Sequence, residues 1–187
     1  MNGIGSPAFA RYIGIDYSGA ETPNSSLKGL RVYLAQGDSW PNEVLPPPSP
    51  RKYWTRRGIA EWLAEQRCRA KSVFHFDVQG SVAKSTHAGI PWLRYMRQEL
   101  GGRVHFWPFD DWAIPPGKSA VAEAYPSLWK GSFPPEGRTP DQHDAYTIAA
   151  WLRQTDQDGQ LNRFLSPSLT PSERAIAEVE GWILGVR

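Results

Sequence analysis

Asp16 heads a series of acidic residues whose placement could hold divalent cations. It ends the apolar run Tyr12-Ile13-Gly14-Ile15, which reads as a buried strand delivering a carboxylate at its C-terminal end, with the turn Tyr17-Ser18-Gly19 following. Asp77, Glu123 and the pair Asp141 and Asp144 stand at comparable junctions further along. Hard oxygen donors dispersed in sequence, but placed at strand ends and on one helix, are what a divalent-metal phosphodiester site needs. On this reading Mg²⁺ or Mn²⁺ ions sit among Asp16, Asp77, Glu123 and Asp144. Asp141 positions water or completes a ligand shell.

Each carboxylate also has a plainer role open to it. Asp16 and Asp77 could cap a nearby turn or helix, although an acid flanked by Phe76 and Val78 is costly to bury unless paired or bound to metal. Glu123 lies between Ala122 and Ala124 and could be an edge-strand residue facing water. Asp141 falls in the first turn of a helix, where the backbone dipole favours a negative charge by about 0.3–1 kcal/mol. Asp144, four before Ile148, borders the packing stripe and is harder to explain structurally. Among the histidines, His143 points about 100° away from Asp144 around the helix, His75 reads as a packed strand residue, and His87 and His105 lack ligand-like spacing. Ser18 is not in a nucleophile elbow, and no Walker loop is present. The segment Arg51-Lys52-Tyr53-Trp54-Thr55-Arg56-Arg57 could grip a phosphate backbone and stack a base, or serve as a solvated helix entry.

These positions require strands and helices to carry them. Strands are expected at 11–17, 30–35 and 73–78, over Val104–Phe106 and over Ala120–Tyr125, with a short edge strand near Asn42–Leu45. A helix capped by Thr55 should run to about Arg69, and a second should open at Gly89-Ile90-Pro91. Thr139-Pro140-Asp141-Gln142 and Thr170-Pro171-Ser172-Glu173 each combine a threonine cap, proline at the first helical position and Gln or Glu three residues after the cap. The order predicts an α/β fold: a mixed β-sheet of five to six strands with helices on both faces. Its acidic site lies at the C-terminal edge of the strands. A single domain is expected over 1–187, with residues 1–10 a loose leader, 41–54 a proline-rich connection, and 160–187 a C-terminal helix and tail packed on the body.

Composition bounds the partners. A net charge of +2 is too small to demand a polyanion, but gathering several carboxylates at a metal site leaves a more basic surface, which suits a phosphate-bearing substrate. One cysteine, Cys68, excludes an internal disulfide and a cysteine-based zinc site. The first residues lack the pattern of a signal peptide and no apolar run reaches membrane-span length, so a cytoplasmic location is expected, with no membrane partner.

With these motifs assembled, the chain resembles the DUF429 family of predicted nucleases, within the ribonuclease H-like superfamily. The resemblance rests on Tyr12 to Gly19, Phe74 to Val78, Val121 to Pro126, Asp141-Gln142-His143-Asp144-Ala145 and the closing Glu180 to Val186, in that order over most of the chain. It implies an RNase H-like sheet with Asp16 as first-strand metal ligand, Asp144 as last-helix ligand, and Asp77 and Glu123 between them. The turn Gln79-Gly80-Ser81 departs from the proline-containing turn associated with many members, and resolvase-type relatives carry a glutamate near the place of Asp77. The expected function is hydrolysis of DNA or RNA by a Mg²⁺- or Mn²⁺-dependent nuclease. The alternatives are a non-catalytic module of the same fold that binds nucleic acid or protein, and an actin-like kinase or ATPase, for which the chain is short.

Overall fold

The computed structural model describes residues 6–16, 26–46, 61–62 and 82–186, the side chains of 82–89 excepted. Strand β1 (Arg11–Asp16) pairs antiparallel with β2 (Arg31–Gln36), which pairs antiparallel with β3 (Asn42–Glu43). The register sets Gly14 opposite Tyr33 and Asp16 opposite Arg31. Strand alternation splits the side chains between two cores. Ile13, Ile15 and Val32 pack with Met96, Val104, Phe106 and Val121. Tyr12, Tyr33 and Ala35 face the other way, onto Ala145, Ile148, Ala149 and Leu152.

Helix α1 (Val82–Leu100) begins well before the expected opening at Gly89 and contains Pro91. An interior proline loses one helical hydrogen bond and its ring crowds the carbonyl four residues back, but its φ is helical and the helix continues through Pro91, which is exposed. Strand β4 (Val104–Phe106) pairs in parallel with β5 (Ser119–Val121), and β6 (Glu123–Ala124) pairs in parallel with β7 (Ile183–Leu184). Helix α2 (Pro140–Gln157) is followed by the short α3 (Leu161–Leu165) and by α4 (Pro171–Glu180). Both predicted capping boxes form: Thr139 with Gln142, and Thr170 with Glu173. Leu161, Leu165, Ala177 and Leu184 carry the C-terminal segment into the same core as α2.

The fold is α/β, but the expected single sheet of five to six strands is not what the described residues form. They make one three-stranded sheet and two of two strands. The stretch Ala120–Tyr125 does not continue as one strand. It breaks at Ala122, so β5 takes β4 as partner and β6 takes β7. Strands of two or three residues leave little ladder to extend. The strand expected over 73–78 and the helix expected from Thr55 lie outside the described residues, apart from helical Glu61 and Trp62.

The leader reading stops short of Ala8. The buried Asp156 carboxylate accepts hydrogen bonds from the Ala8 and Phe9 backbone N–H groups at 3.1 and 3.0 Å, and from the Tyr12 hydroxyl at 3.0 Å. Burial and the Asp156 charge raise the Tyr12 phenol above its usual range. Phe9 itself is buried. The Tyr12 hydroxyl also reaches the Phe9 carbonyl at 2.7 Å, so Asp156→Ala removes the acceptor of the two backbone N–H groups and is expected to destabilise the protein by about 3 kcal/mol, read from urea denaturation.

Candidate active site

The site is set by how β1 lies on α2. Tyr12 meets Asp156 near the helix C-terminus, whereas Gly14 abuts Ala145 and Ala149. The strand therefore runs toward the helix N-terminus. At Gly14 the backbones are in contact: a Cβ there would overlap the Ala145 carbonyl oxygen and lie 2.8 Å from the Ala149 nitrogen. Two further strand residues advance about 6.6 Å. One helical turn back from Ala145 reaches Asp141, a distance of about 6 Å. Asp16 therefore lies beyond Gly14 in the direction of the first turns of α2. It shares the α2-facing side of β1 with Tyr12 and Gly14 and is only 6% exposed.

Around this edge the charges form a chain of contacts. Arg31, opposite Asp16 in register, pairs through Nη1 with Glu43 Oε1 at 3.0 Å. Glu43 Oε2 accepts a hydrogen bond from Gln142 Nε2 at 2.9 Å, and Gln142 closes the α2 capping box. Beside Asp141, the partly buried Asp144 has the Lys130 ammonium against its Oδ1. Lys130 lies in a single 3-10 turn, Lys130–Ser132. Its ammonium stands where a cation is demanded by a carboxylate that the helix holds beside its packing stripe.

Glu123 is placed elsewhere. Ala122 and Ala124 join the core on the α2 side, so alternation sends the intervening side chain the other way. It lines two adjoining cavities whose described walls include none of Asp16, Asp141 and Asp144. Burial pushes its carboxyl up to about 7. An acid whose folded pKa exceeds its unfolded value of 4.5 contributes stability in full below that value and loses it as pH rises through about 7. Stability should therefore decline between about pH 5 and pH 8, and Glu123→Gln should flatten that slope, as followed by urea midpoints.

Asp77, His75 and the Arg51–Arg57 segment lie outside the described residues, as do the side chain of His87 and the loop after Asp16. His143 is buried with Nδ1 unpartnered, and His105 is tied through Nε2 to the Asp111 carbonyl at 2.7 Å. Sequence reasoning missed Lys130, Arg31 and Glu43. Arg31 was accessible from hairpin register, since it falls opposite Asp16. Nothing local marks Lys130, which meets Asp144 only through tertiary packing.

Among the described residues, no three histidine, cysteine or acidic side chains are grouped to hold a metal ion. The carboxylates of Asp16, Asp141 and Asp144 are hard oxygen donors of the type a Mg²⁺-class cation takes one or two of, the rest of its shell being water and phosphate oxygens. No described helix is long and apolar enough to cross a membrane. No family model, no curated protein and no solved structure matches this chain.

Proposed function

We propose that the protein is a divalent-metal-dependent nuclease that cleaves phosphodiester bonds in DNA or RNA, with Mg²⁺ or Mn²⁺ as its ion. The observation that supports this most is the contact of Gly14 with α2 at Ala145 and Ala149, because the buried Asp16, two residues further along β1, follows in the direction of the helix start that carries Asp141 and Asp144. The resemblance of Tyr12–Gly19 and Asp141–Ala145 to the DUF429 pattern points the same way. Asp16 and Asp144 would hold the ion, which supplies Lewis-acid polarisation of the phosphoryl group and a more acidic water.

The chain's own residues provide the rest. Asp16 is held by the strand, so its carboxylate is fixed before substrate arrives. Lys130 balances the charge of Asp144 and would be the cation nearest to a phosphate oxygen were Asp144 to hold a metal. Asp141, at the helix N-terminus, accepts a hydrogen bond from water and holds it near the scissile phosphate. A cytoplasmic site of action belongs to the same proposal.

The test is hydrolysis of labelled single-stranded DNA, duplex DNA and RNA with Mn²⁺, beside Asp16→Asn. Cleavage by the wild type alone supports the reading; equal cleavage by both removes this site from it. One observation favours a non-catalytic nucleic-acid-binding module instead: Asp144 already has its counter-charge in Lys130. That reading requires metal-independent, salt-sensitive binding that survives Asp144→Asn.

A further inference from the structure

The cavities around Glu123 have the construction of a ligand site of their own. The larger, about 430 Å³, is lined by Glu123, Glu180, Gly181, Trp182, Ile183 and Val186. It adjoins a smaller chamber of about 220 Å³ that shares Glu123, Glu180, Gly181 and Trp182 and is walled by Phe106, Trp107 and Phe109 among other apolar side chains. A mostly apolar concavity with a few convergent polar groups is the usual form of a small-molecule site.

The side-chain polar atoms of this wall are already assigned, apart from two carboxyls. Trp107 Nε1 donates to the Leu165 carbonyl at 3.1 Å, and Trp182 Nε1 to the Val186 carbonyl at 3.2 Å. Both indoles therefore offer the chamber their rings rather than their N–H groups. Gly181, at φ 85°, lets its backbone approach the Cζ end of the Phe109 ring; a Cβ there would lie 2.9 Å from Phe109 Cζ. The remaining polar groups of the lining side chains are the carboxyls of Glu123 and Glu180, and no lysine or arginine joins the described wall. Of the neighbouring charges, Arg97 of α1 lies 4.4 Å over the Phe106 ring but is paired with Asp110 at 2.8 Å. His105 of β4 is bonded to the Asp111 carbonyl.

We propose that these adjoining cavities bind a small organic cation, an amine or amidine whose apolar body fills the Phe106, Trp107, Phe109 and Trp182 chamber and whose N–H groups meet the Glu123 carboxylate. The aromatic faces attract a cation through their quadrupoles. The cation in turn supplies the charge and hydrogen bonds that a half-buried carboxylate lacks. Glu180, at the open side, adds a second negative charge. The cavities include neither Asp16 nor Asp144, the residues that would hold the ion in the proposed nuclease site, so the two readings can fail separately.

Benzamidine is the probe, with benzyl alcohol and benzoate as neutral and anionic counterparts, titrated into the whole protein by calorimetry. Benzamidine should bind, and its affinity should rise about ten-fold from pH 6 to pH 8, as a carboxyl near 7 gives up its proton. Benzyl alcohol should bind at least about ten-fold more weakly and benzoate not at all. Glu123→Gln should lose at least about ten-fold at pH 8 and abolish the pH dependence. Phe109→Ala, at the exposed rim, should also weaken binding while leaving the melting temperature unchanged. Absence of benzamidine binding, equal binding of benzamidine and benzyl alcohol, or a Glu123→Gln titration like that of the wild type would overturn the proposal.

Discussion

Gly14→Ala is expected to destabilise the protein by about 3 kcal/mol or more, the cost of forcing one carbon into a closed contact. The added Cβ would overlap the Ala145 carbonyl oxygen and crowd the Ala149 nitrogen, and both are backbone atoms of α2. A flexible side chain could move aside; a helix packed through Ala145, Ile148, Ala149 and Leu152 cannot shift without opening its core. For a chain of this size the melting temperature should fall by about 10 °C. Gly131→Ala is the control, because its Cβ meets nothing within 4 Å. A Gly14→Ala protein as stable as wild type would mean that β1 and α2 do not touch in this way. The proposed approach of Asp16 to the start of α2 would then lose its basis.

The second large effect is on turnover. Asp16→Asn keeps the shape of the side chain but removes its charge and one acceptor oxygen. Metal-dependent hydrolysis should fall by at least about a hundred-fold, since even outer-shell changes at metal sites cost 10–100-fold. The melting temperature should stay within a few degrees of wild type, because a neutral isostere relieves the desolvation of a residue that is 6% exposed. Measuring cleavage and melting on one preparation separates loss of chemistry from loss of fold. A variant that retains cleavage would exclude Asp16 from the reaction.

How far these features could be read from the sequence depended on the range of the interactions that create them. The caps at Thr139 and Thr170 are built from residues three apart, so their punctuation was legible, and both boxes form with proline at the first helical position. The apolar run Tyr12–Ile15 was likewise local, and it placed Asp16 at the end of a buried strand. Strand pairing was not legible. Ala120–Tyr125 looks continuous, yet β7, nearly sixty residues away, takes β6 as its partner and leaves β5 to β4. Among the described residues, that division stands in place of the expected single sheet.

Glu123 was grouped with the other acids because it stands in an apolar strand, without weighing that Ala122 and Ala124 would both turn to the α2 side. The start of α1 was misjudged because Pro91 was read as a first residue, whereas the helix passes through it. The tether of Ala8 and Phe9 to Asp156 spans almost the whole chain and leaves no local signal. The same holds for Lys130 on Asp144. Asp77, the other strand-end acid, lies outside the described residues.

The most direct measurement is a Mn²⁺ titration, followed by electron paramagnetic resonance, in the presence of a non-hydrolysable phosphorothioate oligonucleotide. It compares wild type, Asp16→Asn, Asp144→Asn and the double variant. If one ion is shared between strand and helix, each single substitution should abolish the tight site and the double variant should lose nothing more. Undiminished Mn²⁺ binding in either single variant would contradict a metal held jointly by Asp16 and Asp144.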